Sequence, residues 1–183
     1  ERDHIDVLIK TREEEQKKEI KYISRLIEYP EGSNIEFKQT FSFDAAHPDK
    51  KNKDLEEAVW KTIVAFLNTK GGDLLVGIHD DRTSVGLEQE FANLHKGKED
   101  KFMLYFNSIF NEIIGGDKYP LVDKDLVDLD GKKILRVRVR KSTEPVYLRG
   151  KEFFARTNPA TLKLEGPKLV KYVQNNFPSL LER

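Results

Sequence analysis

No cysteine occurs among the 183 residues, so disulfides and thiolate metal sites are excluded, and a reducing cytoplasm is the expected setting. No apolar run approaches the length needed to span a bilayer, and no signal-peptide pattern is present, so no membrane partner is expected. Net charge is absent too: 32 basic and 32 acidic side chains cancel, and any basic surface must come from local clustering. There is no Gly-x4-Gly-Lys-Ser/Thr; Gly71-Gly72 followed by Gly77 is not a phosphate loop. The four histidines, His4, His47, His79 and His95, lack ligand spacing, and no Gly-x-Ser-x-Gly or cysteine nucleophile exists. The chain also opens without methionine, inside a helical pattern, which reads as a piece of a longer protein.

What remains is a chain of which 35% is charged, long enough for one domain, or one domain with an appendage. Residues 2–28 are dense in charge, and Ile5, Leu8, Ile9, Ile20, Ile23, Leu26 and Ile27 supply an apolar stripe only toward the two ends. That pattern predicts a long solvated helix acting as a connector over residues 1–29, with too few heptads for a coiled coil. Tyr29-Pro30-Glu31-Gly32 stops it. The core domain is expected over residues 30–183.

From Ile35 the chain alternates: Ile35, Phe37, Phe41 and Phe43 on one face, Glu36, Lys38, Thr40 and Ser42 on the other. This is the period of a half-buried strand, with Glu36 and Lys38 side by side on its polar face. Asp44–Asp54 reads as a loop, and Leu55, Val59, Ile63 and Phe66 mark an amphipathic helix ended by Gly71-Gly72. Asn68 and the two glycines serve the tight turn into a buried strand, Leu74 to Ile78. Ser84-Val85-Gly86-Leu87 would continue it as a hairpin partner. A helix follows over about Lys98–Ile114. Asp130-Gly131 and Arg149-Gly150 predict two hairpins, and a last helix begins near Pro167. The fold class is α+β: a mixed, largely antiparallel sheet with helices packed on it.

Two acids near the start of one strand, Glu31 and Glu36, and a third past the end of another, Asp80, could meet at a hard cation such as Mg²⁺ or Mn²⁺. Asp81 rivals Asp80, and Asp73 reads as a strand-entry residue. The plain alternative has Glu31 in a turn, Glu36 paired with Lys38, and Asp80 as a turn acid. Arg136, Arg138 and Arg140 alternate with valines, which predicts three guanidiniums on one exposed face able to track a phosphate backbone. The alternative is a sheet face paired with Asp123, Asp125 or Asp128.

Glu31-x4-Glu36-Phe37-Lys38, then Ala65-Phe66-Leu67-Asn68-Thr69-x-Gly71-Gly72, Val76-Gly77-Ile78-His79-Asp80 and Phe153-Phe154-Ala155-Arg156 resemble, in that order, the Schlafen core (AlbA-like) domain over residues 27–176. The resemblance implies a single-core prokaryotic-type member. It implies that Glu31, Glu36 and Asp80 carry over from the metal-binding carboxylates of ribonuclease relatives, with Lys38 and Arg156 near the phosphate, Arg156 either binding it or bracing the carboxylates. It further implies an endoribonuclease acting on structured RNA such as tRNA, and a homodimer supplying the second lobe. The cysteine-histidine zinc site of vertebrate Schlafens cannot form here. Two other readings stand beside this one: a non-catalytic DNA- or RNA-binding module of a larger regulatory or defence protein, and an interaction domain using the charged helix.

Overall fold

The computed structural model describes residues 2–178, with side chains from 4 onward. Residues 1 and 179–183, which the expected domain bounds include, lie outside the described residues.

The charged N-terminal segment forms one helix, α1 (Arg2–Glu28), but only its second half is packed. Ile23 is fully buried and, with Ile20, Leu26 and Ile27, covers the rear of a four-stranded sheet. That second half is therefore a layer of the fold, whereas Ile5, Leu8 and Ile9 are more than half exposed.

The sheet contains β1 (Ile35–Lys38), β2 (Gly72–Val76), β3 (Val122–Leu129) and β4 (Lys132–Val139) in the order β1-β2-β4-β3. β1 runs parallel to β2, and the other pairs are antiparallel. The β3–β4 turn holds Asp130 at φ 54° and Gly131 at φ 75°, the two left-handed positions that an Asp-Gly hairpin requires. The front of the sheet is covered by α2 (Lys53–Asn68) and α4 (Glu99–Ile113). Asn52 caps α2, its side chain accepting from the N–H groups of Asp54 (3.0 Å) and Leu55 (3.3 Å). Between α2 and α4 stands an aromatic cluster of Phe41, Trp60, Phe102, Phe106 and Phe110, with ring centroids 4.7–6.5 Å apart.

A second, three-stranded antiparallel sheet of β5 (Tyr147–Leu148), β6 (Glu152–Arg156) and β7 (Thr161–Leu164) packs on α2, and α5 (Gly166–Asn176) closes it. Asn68 ties it to α2: its side chain accepts from Val146 N–H (2.8 Å) and donates to the carbonyls of Val146 (2.8 Å) and Phe154 (2.9 Å).

Two expectations are corrected. The first strand does not run on to Phe43. It ends at Lys38, whose carbonyl accepts from both Gly77 and Ile78 N–H groups. Ile35 and Phe37 then face the rear, under α1, while Phe41 enters the front core. The turn is held by Glu90, on the unanticipated helix α3 (Glu88–Leu94): its buried carboxylate accepts from Ser42 N–H (2.8 Å), Phe43 N–H (2.7 Å) and Ser42 Oγ (2.6 Å). Ser84 contributes an isolated bridge to Ile78, not a full hairpin arm. β7 also escaped the sequence reading.

Candidate functional site

Glu36, the second residue of β1, faces the seam between the two sheets and is nearly buried. Arg156, the last residue of β6, reaches it from the other side and donates Nη2 to its carboxylate; Lys38 Nζ donates to the other oxygen. Arg156 is 5% exposed and its donors are almost all spoken for. Nε and Nη2 bond the Gly32 carbonyl (3.0 and 2.9 Å), Nη2 also reaches the Ile35 carbonyl (3.3 Å), and Nη1 bonds Thr161 Oγ1 (3.1 Å). Its guanidinium lies 5.4 Å from the centroid of the Phe66 ring. Of the two roles expected for Arg156, it performs the bracing of a carboxylate. A phosphate would have to displace Glu36 and three backbone or hydroxyl acceptors.

Glu31 accepts the Phe37 N–H at 2.8 Å, closing the outer edge of β1 with a side chain. Asp80 is exposed in the turn beyond β2. Beside it Asp81 accepts from Thr83 N–H (2.9 Å) and Oγ1 (2.6 Å) and lies 3.1 Å from His79 Nδ1. Those Thr83 donors hold its carboxyl below the usual range. The three expected metal ligands are therefore not brought together. Glu36 stands beside Leu74, in the middle of β2, whereas Asp80 lies beyond that strand's end at Val76, on an exposed turn. Among the described residues no three histidine, aspartate or glutamate side chains are grouped closely enough to hold a metal ion. The donor set as arranged does not fit Mg²⁺ or Mn²⁺.

The expected exposed face of arginines does not form. Arg136 is 3% exposed, donating to Asp123 Oδ2 (2.6 Å) and Asp125 Oδ2 (3.3 Å). Glu19 Oε1 lies 2.8 Å from its Nε, off the N–H direction, a charge contact without an aligned hydrogen bond. The Arg136 hydrogen bond holds the Asp123 carboxyl below the usual range. Arg138 donates to Asp73 Oδ1 (3.1 Å) and Glu19 Oε1 (3.3 Å), with its guanidinium 4.5 Å from the Tyr22 ring centroid. Tyr22 in turn donates to Asp73 Oδ2 (2.8 Å). Burial, then that carboxylate, pushes the Tyr22 hydroxyl up. The physical reason is α1, which lies across this face and brings Glu19 to it. The plain alternative, pairing with Asp123 and Asp125, is the one observed for Arg136. Only Arg140 is exposed, donating to the Pro120 carbonyl.

Glu19, Tyr22, Asp73 and Glu90 were missed as polar anchors. The available signal for Glu19 and Tyr22 was their position beside Ile20 and Ile23, the apolar pair that fixes which face of α1 is buried.

The chain belongs to the Schlafen AlbA_2 family, whose model matches residues 31–165. Its fold is similar to the crystal structure of the DIP2311 protein from Corynebacterium diphtheriae (19% identity, TM-score 0.50). That match covers 79% of this chain but only 27% of the other, so the chain spans about a quarter of that relative's length. It is also similar to the N-terminal domain of a RecG-related protein from Nitrosomonas europaea (22% identity, TM-score 0.46, covering 78% of this chain and 85% of that domain). No curated protein matches in sequence. Among the described residues no helix is long and apolar enough to cross a membrane.

Proposed function

We propose that this domain is a nucleic-acid-binding module that holds its ligand without cutting it. Membership of the Schlafen AlbA_2 family supports the ligand class. The observation that carries the non-catalytic reading is the state of Glu36. Its carboxylate is held by Arg156 and Lys38. A carboxylate already neutralised by two cations is a poor ligand for a third, because a metal would have to break a buried, hydrogen-bonded pair to bind it.

The competing reading is metal-dependent cleavage of structured RNA such as tRNA by Glu31, Glu36 and Asp80. Incubating the protein with labelled tRNA and single-stranded DNA, in Mn²⁺ or in EDTA, separates the two. Binding that leaves the strands intact in both conditions is expected. Mn²⁺-dependent cleavage, lost in Glu36→Ala and in Asp80→Ala, would overturn this reading and restore the carboxylate trio. Light scattering at tens of micromolar tests whether a homodimer supplies a second lobe.

A further inference from the structure

With Arg136 and Arg156 buried, and Arg138 engaged by Asp73 and Glu19, a nucleic-acid module needs its cations elsewhere. They occur where α2 ends and β4 leaves the sheet. Ser142 N–H bonds the Leu67 carbonyl (2.7 Å), and Gly72 stands beside Val139 in the ladder. Between these two ties, Gly71 lies so close to the departing strand that a Cβ there would be 2.4 Å from the Val139 carbonyl oxygen and 3.3 Å from both Arg140 Cα and Lys141 N. Lys70, Arg140 and Lys141, two stretches of chain about seventy residues apart in sequence, are thereby backbone neighbours, and all three are exposed.

Their partners are neutral. Arg140 Nη2 donates to the Pro120 carbonyl, and Lys141 Nζ to the Asn176 carbonyl (3.2 Å), 5.4 Å from the Phe177 ring centroid. Among the described residues none of the three has a carboxylate partner. The acids near this end are engaged. Lys118 pairs with Asp117 (2.8 Å) and with Glu144, while Asp73 is held by Arg138 and Tyr22. The result is a set of cations whose positions are restrained and whose charge is not cancelled. An acceptor with several anionic oxygens spaced along a chain is the complementary ligand, because each cation can take one oxygen and release a counterion.

Resting on the binding function proposed above, we infer that Lys70, Arg140 and Lys141 form the contact for the phosphodiester backbone of the nucleic acid. The contact reads charge: lysine and arginine bonds to phosphate oxygens position the ligand and carry no base recognition.

The test measures binding of a labelled 20-mer duplex and a single strand by fluorescence anisotropy, over a salt series. Lys70→Gln/Arg140→Gln is compared with the parent and with Lys96→Gln/Lys98→Gln, an equal charge change on the α3–α4 loop. Lys141 is left in place because it holds the end of α5. Losing two phosphate contacts should weaken binding about tenfold or more and reduce the slope of log K against log salt by roughly two. The loop variant should match the parent. Lys70→Gln alone, at a side chain with no hydrogen bond or ion pair among the described residues, should reduce the slope by about one. If the parent binds and both double variants weaken equally, this surface is wrong while the binding function survives. If the parent binds neither oligonucleotide, the function and the surface fall together.

Discussion

Glu36 and Arg156 meet across the seam between the two sheets, one side chain 12% exposed and the other 2%. This pair joins the edge strand of the first sheet to the central strand of the second.

Arg156→Met would leave Glu36 buried with only Lys38, and would take from the Gly32 carbonyl its two arginine bonds, while the Ile35 carbonyl keeps the Gly32 N–H. Breaking a buried pair from one side costs about 3–5 kcal/mol. Urea unfolding should show a loss in that range, partly recovered in Glu36→Gln/Arg156→Met, where no buried charge is orphaned. A single-variant loss near zero would mean that the seam is solvated.

Asn68→Ala should be as damaging, for a different reason. It leaves the N–H and carbonyl of Val146 and the carbonyl of Phe154 without partners in a dry interior. At about 1–3 kcal/mol for each unsatisfied group, a loss of roughly 3 kcal/mol or more is expected. Hydrogen exchange should accelerate first in β5 and β6, the strands that Asn68 tethers.

Two isoleucines on one helix should behave oppositely. Ile23→Ala removes a fully buried side chain from the rear cluster and should cost about 2–5 kcal/mol. Ile9→Ala, at a position 53% exposed, should leave the melting temperature of the domain unchanged. Equal effects would show that α1 is docked along its whole length.

Acid should weaken the fold through Glu90. Burial pushes its carboxyl up, but His95, the Ser42 hydroxyl and the N–H groups of Ser42 and Phe43 outweigh burial and hold it below the ordinary value. With the folded pKa below the unfolded one, the unfolded chain binds the proton more readily. The contribution is complete above about pH 4.3, the ordinary glutamate value, and is lost as pH falls through the lower folded value. Glu90→Gln should be less stable at neutral pH and show a flatter acid limb in a stability–pH profile.

The α+β class, the two hairpins and most of the helices were legible because each rests on local signals: 3.6-residue periodicity, a cap, an Asp-Gly or Arg-Gly turn. The assignment of faces was not. Strict alternation from Ile35 to Phe43 looked like one strand, yet the chain turns after Lys38 and sends Phe41 to the opposite core, a choice made by Glu90 from far along the sequence. The arginine stripe failed for the same kind of reason. Alternation correctly put Arg136 and Arg138 on one face, but it could not show that a helix lies on that face and brings Glu19 with it. The candidate carboxylates were legible as residues, and their separation was not, because it depends on the path of the exposed turn that carries Asp80 beyond β2.

The Glu19–Arg138 contact also sets an order of events during synthesis. The two residues lie 119 positions apart, so α1 is translated long before the strand that receives it. At about 5–20 residues per second, roughly 6–24 s pass before β4 is made. Through that interval Ile20, Ile23, Leu26 and Ile27 have no sheet to cover, and the charged run from Thr11 to Glu19 is what keeps the waiting helix in water.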